Sequence, residues 1–278
     1  MPELPEVETI KNGIQNMLGN ALILDVKVNN PRLRQPVPEN LAEIIIGHKI
    51  LSYKRVAKYI VISFDNSFDL IIHLGMSGRI LLSKKEYVPQ KHDHIVFKTN
   101  KGYMVYNDPR RFGLCTYTQS DKLMEHPLFN KVGIDPFDSQ FNGVTLKEKL
   151  IKKTIPIKLA LLDQSIVCGI GNIYASEALF LAKILPTRPS NSLSDKECEK
   201  LVDGIRQTLS LAIEAGGSTL RDYKQPDGNL GYFQNHHCVY NKTGQRCPNC
   251  QCDIQKTGGI KKIIMNNRST FFCETKQR

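Results

Sequence analysis

The chain has 278 residues, enough for one large domain or two ordinary ones, and its 41% hydrophobic and 23% charged composition is that of a globular protein. No apolar run approaches the roughly 18 residues a membrane span needs, and Glu3 and Glu6 stand where a secretion signal would carry basic residues, so a cytoplasmic protein with no membrane partner is expected. Thirty-eight Lys and Arg against 27 Asp and Glu give a formal charge of +11, a field that attracts polyanions such as nucleic acid, although surface lysines alone give the same balance.

In chain order the first element predicted is a helix, because Val7, Ile10, Ile14 and Met17 recur at helical spacing, Pro5 suits a first turn and Gly19 suits the end. Short β-type runs follow at 21–28, 58–64, 68–74, 95–99, 103–106 and 113–118, with Asn100-Lys101-Gly102 separating two of them as a hairpin would. Many short strands in succession predict a sandwich or barrel. The pattern weakens over 119–143, which reads as a linker between a first domain, 1–118, and a second, 144–231. That second segment is helical: Thr145 with Glu148, and Ser194 with Glu197, have the spacing of capping boxes. Helical stretches at 157–164 and 173–184 flank a Gly-rich turn, 165–172, whose backbone N–H groups could bind phosphate or simply reverse the chain. The tail, 232–278, ends in a predicted hairpin of 261–265 and 269–272. The fold class is therefore α+β.

Of eight cysteines, Cys115, Cys168 and Cys198 lie in apolar or helical segments and read as core. Cys238, Cys247, Cys250, Cys252 and Cys273 crowd the tail and point to a metal site, since a cytoplasmic chain keeps its thiols reduced.

The opening Pro2-Glu3-Leu4-Pro5-Glu6-Val7-Glu8-Thr9 carries two readings. Trimming of Met1 would expose a secondary amine at Pro2, nucleophilic near neutrality because an α-amino group has a pKa of about 8. Attack on a sugar C1′ would give an iminium directly, with Glu3 moving protons. Alternatively, the prolines stiffen the terminus and the acids favour the start of a helix. Likewise Lys58 reads as a solvated charge at a strand start, Lys153 as part of a solvated helix face, His92 and His94 as a polar pair on one face, and Asn172 as a helix N-cap.

The opening segment, His73-Leu74-Gly75-Met76-Ser77-Gly78, Asp108-Pro109-Arg110-Arg111-Phe112-Gly113, Gly171-Asn172-Ile173-Tyr174-Ala175 and Asn267-Arg268-Ser269-Thr270-Phe271-Phe272-Cys273 together resemble the formamidopyrimidine-DNA glycosylase family, in family order and across essentially the whole chain. Leu4 stands where the sister enzyme, endonuclease VIII, usually has glycine, which favours the oxidised-purine branch. The resemblance implies an N-terminal β-sandwich with an N-terminal helix, a helical domain with a helix-two-turns-helix element, a terminal β-hairpin zinc finger, and damaged double-stranded DNA held between the halves; we expect a monomer. It implies that Pro2 is the Schiff-base nucleophile, Glu3 its acid/base partner, Lys58 the base that assists β-elimination, and Arg268 the phosphate-gripping arginine of δ-elimination. His92, Arg110, Lys153 and Asn172 match DNA contacts. Met76, Arg110 and Phe112 match side chains that fill the gap left by an extruded base.

The resemblance departs at the metal. The family's finger has two Cys-x-x-Cys pairs, implying zinc. Here Cys247 and Cys250 form the first, 22 residues separate Cys250 from Cys273, and Lys276 stands where the fourth cysteine is expected. Cys252, Glu274, or one of His236, His237 and Cys238 could complete the site with Cys247, Cys250 and Cys273; otherwise the hairpin holds without metal. Two functional alternatives remain: the same fold with endonuclease VIII-like preference for oxidised pyrimidines, told apart by which base is released, and a non-catalytic damage binder, which would need the wedge residues but not Pro2, Glu3, Lys58 and Arg268.

Overall fold

The computed structural model describes residues 2–218, 231–250 and 253–278. Two compact units are present, 1–130 with 213–234, and 131–212 with 235–278.

The first unit opens with α1 (Leu4–Leu18), with Pro5 in its first turn and Gly19 closing it at φ 48°. There follow β1 (Ile23–Val28), α2 (Leu41–Ile45), β2 (Ile50–Val56), β3 (Tyr59–Phe64), β4 (Phe68–His73), β5 (Arg79–Ser83), β6 (Asp93–Thr99), β7 (Gly102–Asn107) and β8 (Leu114–Gln119). They form two four-stranded antiparallel sheets, ordered β1-β6-β7-β5 and β2-β3-β4-β8. Ile95, Phe97, Met104 and Tyr106 from one sheet, Ile60, Ile62, Leu70 and Ile72 from the other, and Val7, Ile10, Ile14 and Leu18 from α1 bury together in one core. Alternate residues thus face inward from both sheets, as in a sandwich; each such side chain contributes about 1.5–3 kcal/mol by leaving water.

Three short elements of this unit escaped the sequence reading. Strands β2 and β5 each lie at a sheet edge, where an exposed position accepts Lys54, Arg55 pairs with Glu8, and the apolar run is broken. Helix α2 spans five residues, too few to show a period. Lys58 does not begin a strand: it sits in the two-residue turn between β2 and β3, after Ala57 at φ 53°, and it is buried rather than solvated.

The second unit contains α3 (Gly143–Leu150), α4 (Ile157–Leu162), α5 (Asn172–Leu181), α6 (Asp195–Glu214), α7 (Ile254–Thr257), β9 (Lys261–Met265) and β10 (Arg268–Phe272). The cap of α3 is Asn142, whose Oδ1 accepts from Thr145 N while Thr145 Oγ1 accepts from Asn142 N, so the box expected at Thr145 and Glu148 lies one turn earlier. The box at Ser194 and Glu197 stands as expected. Helix α6 crosses α5 at Gly204, where an added Cβ would lie 3.0 Å from Ala178 O. The hairpin forms as expected, and its turn is Asn266-Asn267, both left-handed (φ 45° and 59°), the backbone a two-residue hairpin loop favours. Phe180 of α5 packs with Val239, Ile260 and Phe271, joining the hairpin to the helices. Among the described residues no helix is long and apolar enough to cross a membrane.

Candidate active site and nucleic-acid interface

Pro2 is buried, and Glu3 is 4% exposed. Glu6 holds this start in place: its Oε2 accepts from Glu3 N at 2.8 Å and its Oε1 from Ser218 N at 2.8 Å. The acid three residues on thus ties down the backbone of Glu3, a role the sequence reading missed. Met1 and the segment 219–230 lie outside the described residues.

Two of the expected DNA-contact residues, His92 and Arg110, bond to Asp108, which is fully buried and joins the loops that carry Met76 and Phe112. Its Oδ1 accepts from Ser77 Oγ at 2.6 Å and Arg110 N at 3.3 Å, its Oδ2 from Gly113 N at 2.9 Å, and its N–H donates to His92 O at 3.1 Å. His94 Nε2 meets Asp108 O at 2.7 Å. The loop after β4 and the loop before β8 touch so closely that a Cβ on Gly75 would stand 2.5 Å from the backbone of Phe112 and Gly113. This support leaves Met76 and Phe112 43% and 47% exposed, with the Arg110 guanidinium 4.8 Å from the Phe112 ring centroid. A large apolar side chain held out on a rigid, hydrogen-bonded base is ill placed for a core and well placed to enter a base stack.

His92 is exposed at φ 74° while His94 is buried, so the two histidines do not share a face as expected; a positive φ at His92 breaks the alternation. Exposed Arg34, which donates its N–H to Gly113 O at 3.1 Å, brings a further cation to this loop cluster that the sequence reading did not single out.

His73, beside Gly75, accepts from Gly75 N at Nδ1 and packs its ring 4.7 Å from Tyr59. Burial pushes its pKa down to about 4, and the positive charges of Arg34 and Lys58 push the same way. An unfolded chain would protonate this ring below about pH 6.5 while the folded chain does not, so stability declines as pH falls from about 6.5 towards 4, by on the order of 3 kcal/mol. Urea unfolding of His73→Asn, which keeps an acceptor for Gly75 N, should show a shallower loss across that window; an equal loss would assign the titration to another group.

In the second unit Asn172 is the first residue of α5 and not its cap; Gly171, at φ −133° and ψ −160°, occupies the cap position. This frees the Asn172 side chain for other partners. Its Oδ1 accepts from Lys158 Nζ at 2.7 Å, and its Nδ2 donates to Ser269 O at 2.8 Å and Tyr240 OH at 3.3 Å. Lys158, wholly buried, also donates to Ser269 O at 3.1 Å and Thr270 Oγ1 at 2.6 Å. Lys158 and Asn172 therefore fasten the start of α5 to the strand that begins with exposed Arg268. Sequence reasoning missed Lys158; a lysine inside the apolar run Ile157-Lys158-Leu159-Ala160-Leu161-Leu162 is the signal that could have found it. Lys153 lies past the end of α3 rather than on a helix face, with its Nζ 3.5 Å from Asp163.

The sulfurs of Cys247, Cys250 and Cys273 all lie within 4.8 Å of one another, with Cys250 and Cys273 3.9 Å apart. Ligands set tetrahedrally at about 2.3 Å from zinc stand about 3.8 Å from each other, so the spacing fits that ion. Burial pushes the Cys247 thiol up, and hydrogen bonds with Cys273 and Cys250 add to this; a bound cation would reverse the shift by stabilising thiolate. Among the described residues Glu274, His236, His237 and Cys238 do not join this cluster, and Cys252 lies outside the described residues. Cys238 instead sits where its N–H donates to Glu177 Oε2 at 2.7 Å.

A two-sheet unit opened by a helix, a helical unit with a glycine-rich turn, and a hairpin beside three clustered cysteines make up the architecture that the motifs implied. The family model described as the formamidopyrimidine-DNA glycosylase N-terminal domain matches residues 1–115, and that of the formamidopyrimidine-DNA glycosylase H2TH domain matches 132–224. A formamidopyrimidine-DNA glycosylase of Rhodospirillum rubrum is 45% identical, with 100% of both chains covered. The solved Lactococcus lactis Fpg in complex with an abasic site containing DNA is 35% identical with a TM-score of 0.89, covering 99% of each chain. Another L. lactis Fpg structure, a variant with a Fapy-dG containing DNA, is also 35% identical with a TM-score of 0.89, covering 100% of each. The chain belongs to the formamidopyrimidine-DNA glycosylase family.

Proposed function

We propose that this chain binds damaged double-stranded DNA, releases oxidised purines and then cuts the strand, with Pro2 as the nucleophile. The observation that carries the reading is the platform around Asp108, which presents Met76, His92, Arg110 and Phe112 together. Met76 and Phe112 enter the stack at the damaged step and offset the stacking lost when the base leaves the duplex. The Pro2 nitrogen attacks C1′ as the base departs, giving an iminium, while Glu3 moves protons at the sugar ring. Lys58, buried beside His73, assists removal of the C2′ proton in β-elimination. His73 is neutral at pH 7 and so adds no second positive charge there. Arg268 grips phosphate through its several donors and promotes δ-elimination.

Residues 1–118 supply base release and β-elimination, 144–231 the helical DNA support, and 232–278 the finger with Arg268. Cys247, Cys250 and Cys273 hold zinc, which supplies a fixed point that keeps the hairpin and its Arg268 in register. The protein acts as a cytoplasmic monomer.

Duplexes carrying 8-oxoguanine and an oxidised pyrimidine, compared for base release, test the substrate preference: faster release of 8-oxoguanine is expected, and the reverse order would place the chain with the pyrimidine enzymes. Affinity should fall steeply with salt, as counterion release requires. Lys153→Ala should weaken lesion and undamaged duplexes alike and lower the salt slope by about 1; a loss confined to the lesion would place Lys153 at the base pocket.

A further inference from the structure

We propose that Cys247, Cys250 and Cys273 bind zinc as a three-thiolate site whose fourth position is open to a small exogenous ligand, while Lys276 closes the finger by a direct bond in place of a fourth cysteine. This rests on the zinc reading of the cluster and concerns what completes it.

Two tight turns face the cluster. Cys247-Pro248-Asn249-Cys250 is one; the other runs from Cys273 to Lys276, with Lys276 N donating to Cys273 O at 3.2 Å. A cysteine at 276 would join the second turn to the first through the metal. The Lys276 side chain joins them without it: its Nζ donates to Pro248 O at 3.0 Å, between the two cysteines of the first turn, and stands 4.6 Å from the Phe180 ring centroid. The cation therefore ties the C-terminal turn both to the first turn and to α5. That arrangement leaves the ammonium engaged with a carbonyl and an aromatic face, where it is no ligand for a metal.

Among the described residues nearby, the segment around His237 and Cys238 is also held. Glu177 of α5 accepts from the N–H groups of Cys238, Val239 and Tyr240 at 2.7–3.0 Å, which fixes the backbone there; the Cys238 side chain packs against the cluster that contains Cys247 and Cys273, but its sulfur is not one of the three that lie within 4.8 Å of one another. His237 is buried with its ring against Tyr240, and Glu274 is exposed. Three thiolates around a divalent ion leave a net charge of −1, against −2 for four, and the ammonium bonded to the first turn favours either anion.

The exogenous ligand is a monodentate donor that zinc accepts: water, a low-molecular-weight thiol or an imidazole. Binding of zinc releases the three cysteine protons, and entry of a thiol as fourth ligand displaces water and releases one proton more.

Cobalt(II) reports the site by its colour, since the sulfur-to-cobalt absorption grows with each Co–S bond. The full chain, stripped of metal and kept reduced by a phosphine, should take up one cobalt. A monothiol such as 2-mercaptoethanol should then raise the sulfur-to-cobalt band saturably by about a third, as three Co–S bonds become four. Lys276→Cys should show the higher band from the outset and not respond to the thiol. Cys252→Ser and Cys238→Ser should behave like the unmutated chain. A four-sulfur band in the unmutated chain, insensitive to thiol and diminished in Cys252→Ser or Cys238→Ser, would give the fourth position to the protein and overturn the proposal while leaving the metal site standing. Failure to take up stoichiometric cobalt would overturn the zinc reading and this inference with it.

Discussion

Borohydride added during reaction with a duplex carrying 8-oxoguanine opposite cytosine should leave the chain covalently attached to the DNA. The trapped species is the iminium between the Pro2 nitrogen and C1′; hydride adds to its carbon and the product is a stable tertiary amine. Pro2 can form it only as an N-terminal secondary amine, so the chain used must be shown by mass to begin at Pro2. An uncleaved N-terminal extension turns that nitrogen into an amide, which carries no nucleophilic lone pair, and trapping should fall by on the order of 1,000-fold or more. The fold around the site should tolerate Pro2→Gly, because α1 is anchored by Leu4, Val7, Ile10 and Ile14 in the core and by the Glu6 bonds to Glu3 and Ser218. Trapping by the extended chain at the unmutated rate would move the nucleophile to another amine.

The parts of this molecule that announce themselves in sequence are those governed by local rules. The hairpin at 261–272 was readable from its two β-type runs, which flank an Asn266-Asn267 turn in left-handed backbone, and α1 because its apolar period is unbroken from Val7 to Met17. The edge strands β2 and β5 were not readable, since an edge tolerates charge and loses alternation. The site divides in the same way. Met76, Arg110 and Phe112 stood out through the family's motifs, but the residue that unites them, Asp108, does so by accepting hydrogen bonds from residues up to 31 positions away in the chain, a relation no local pattern encodes. Asn172 shows how a correct residue can be given the wrong local role. A polar side chain before an apolar helix reads as a cap, but an extended Gly171 takes that position and Asn172 turns to the hairpin. Lys58 likewise lies in a turn that a strand pattern would absorb, and its burial comes from the packing around it.

Lys158→Met should be among the most damaging single substitutions outside the nucleophile. Methionine matches the length of the lysine stem, so the apolar surroundings stay filled, while the three donors of the ammonium are lost. Asn172 Oδ1, Ser269 O and Thr270 Oγ1 each lose a bond that water cannot easily replace in so buried a place. The expected cost to stability is about 2–4 kcal/mol. Function should suffer more than that figure conveys, because Arg268 begins the strand that these bonds fasten to α5, and a displacement of about 1 Å at a reacting or gripping group can cost 100-fold in rate. The variant should therefore bind lesion duplex weakly and incise it on the order of 100-fold more slowly per folded molecule, with Asn172→Ala changing activity in the same direction. Measuring the folded fraction by unfolding curves separates the two effects. If Lys158→Met is less stable but its folded fraction binds and cuts at the unmutated rate, Lys158 holds the unit together without setting the position of Arg268.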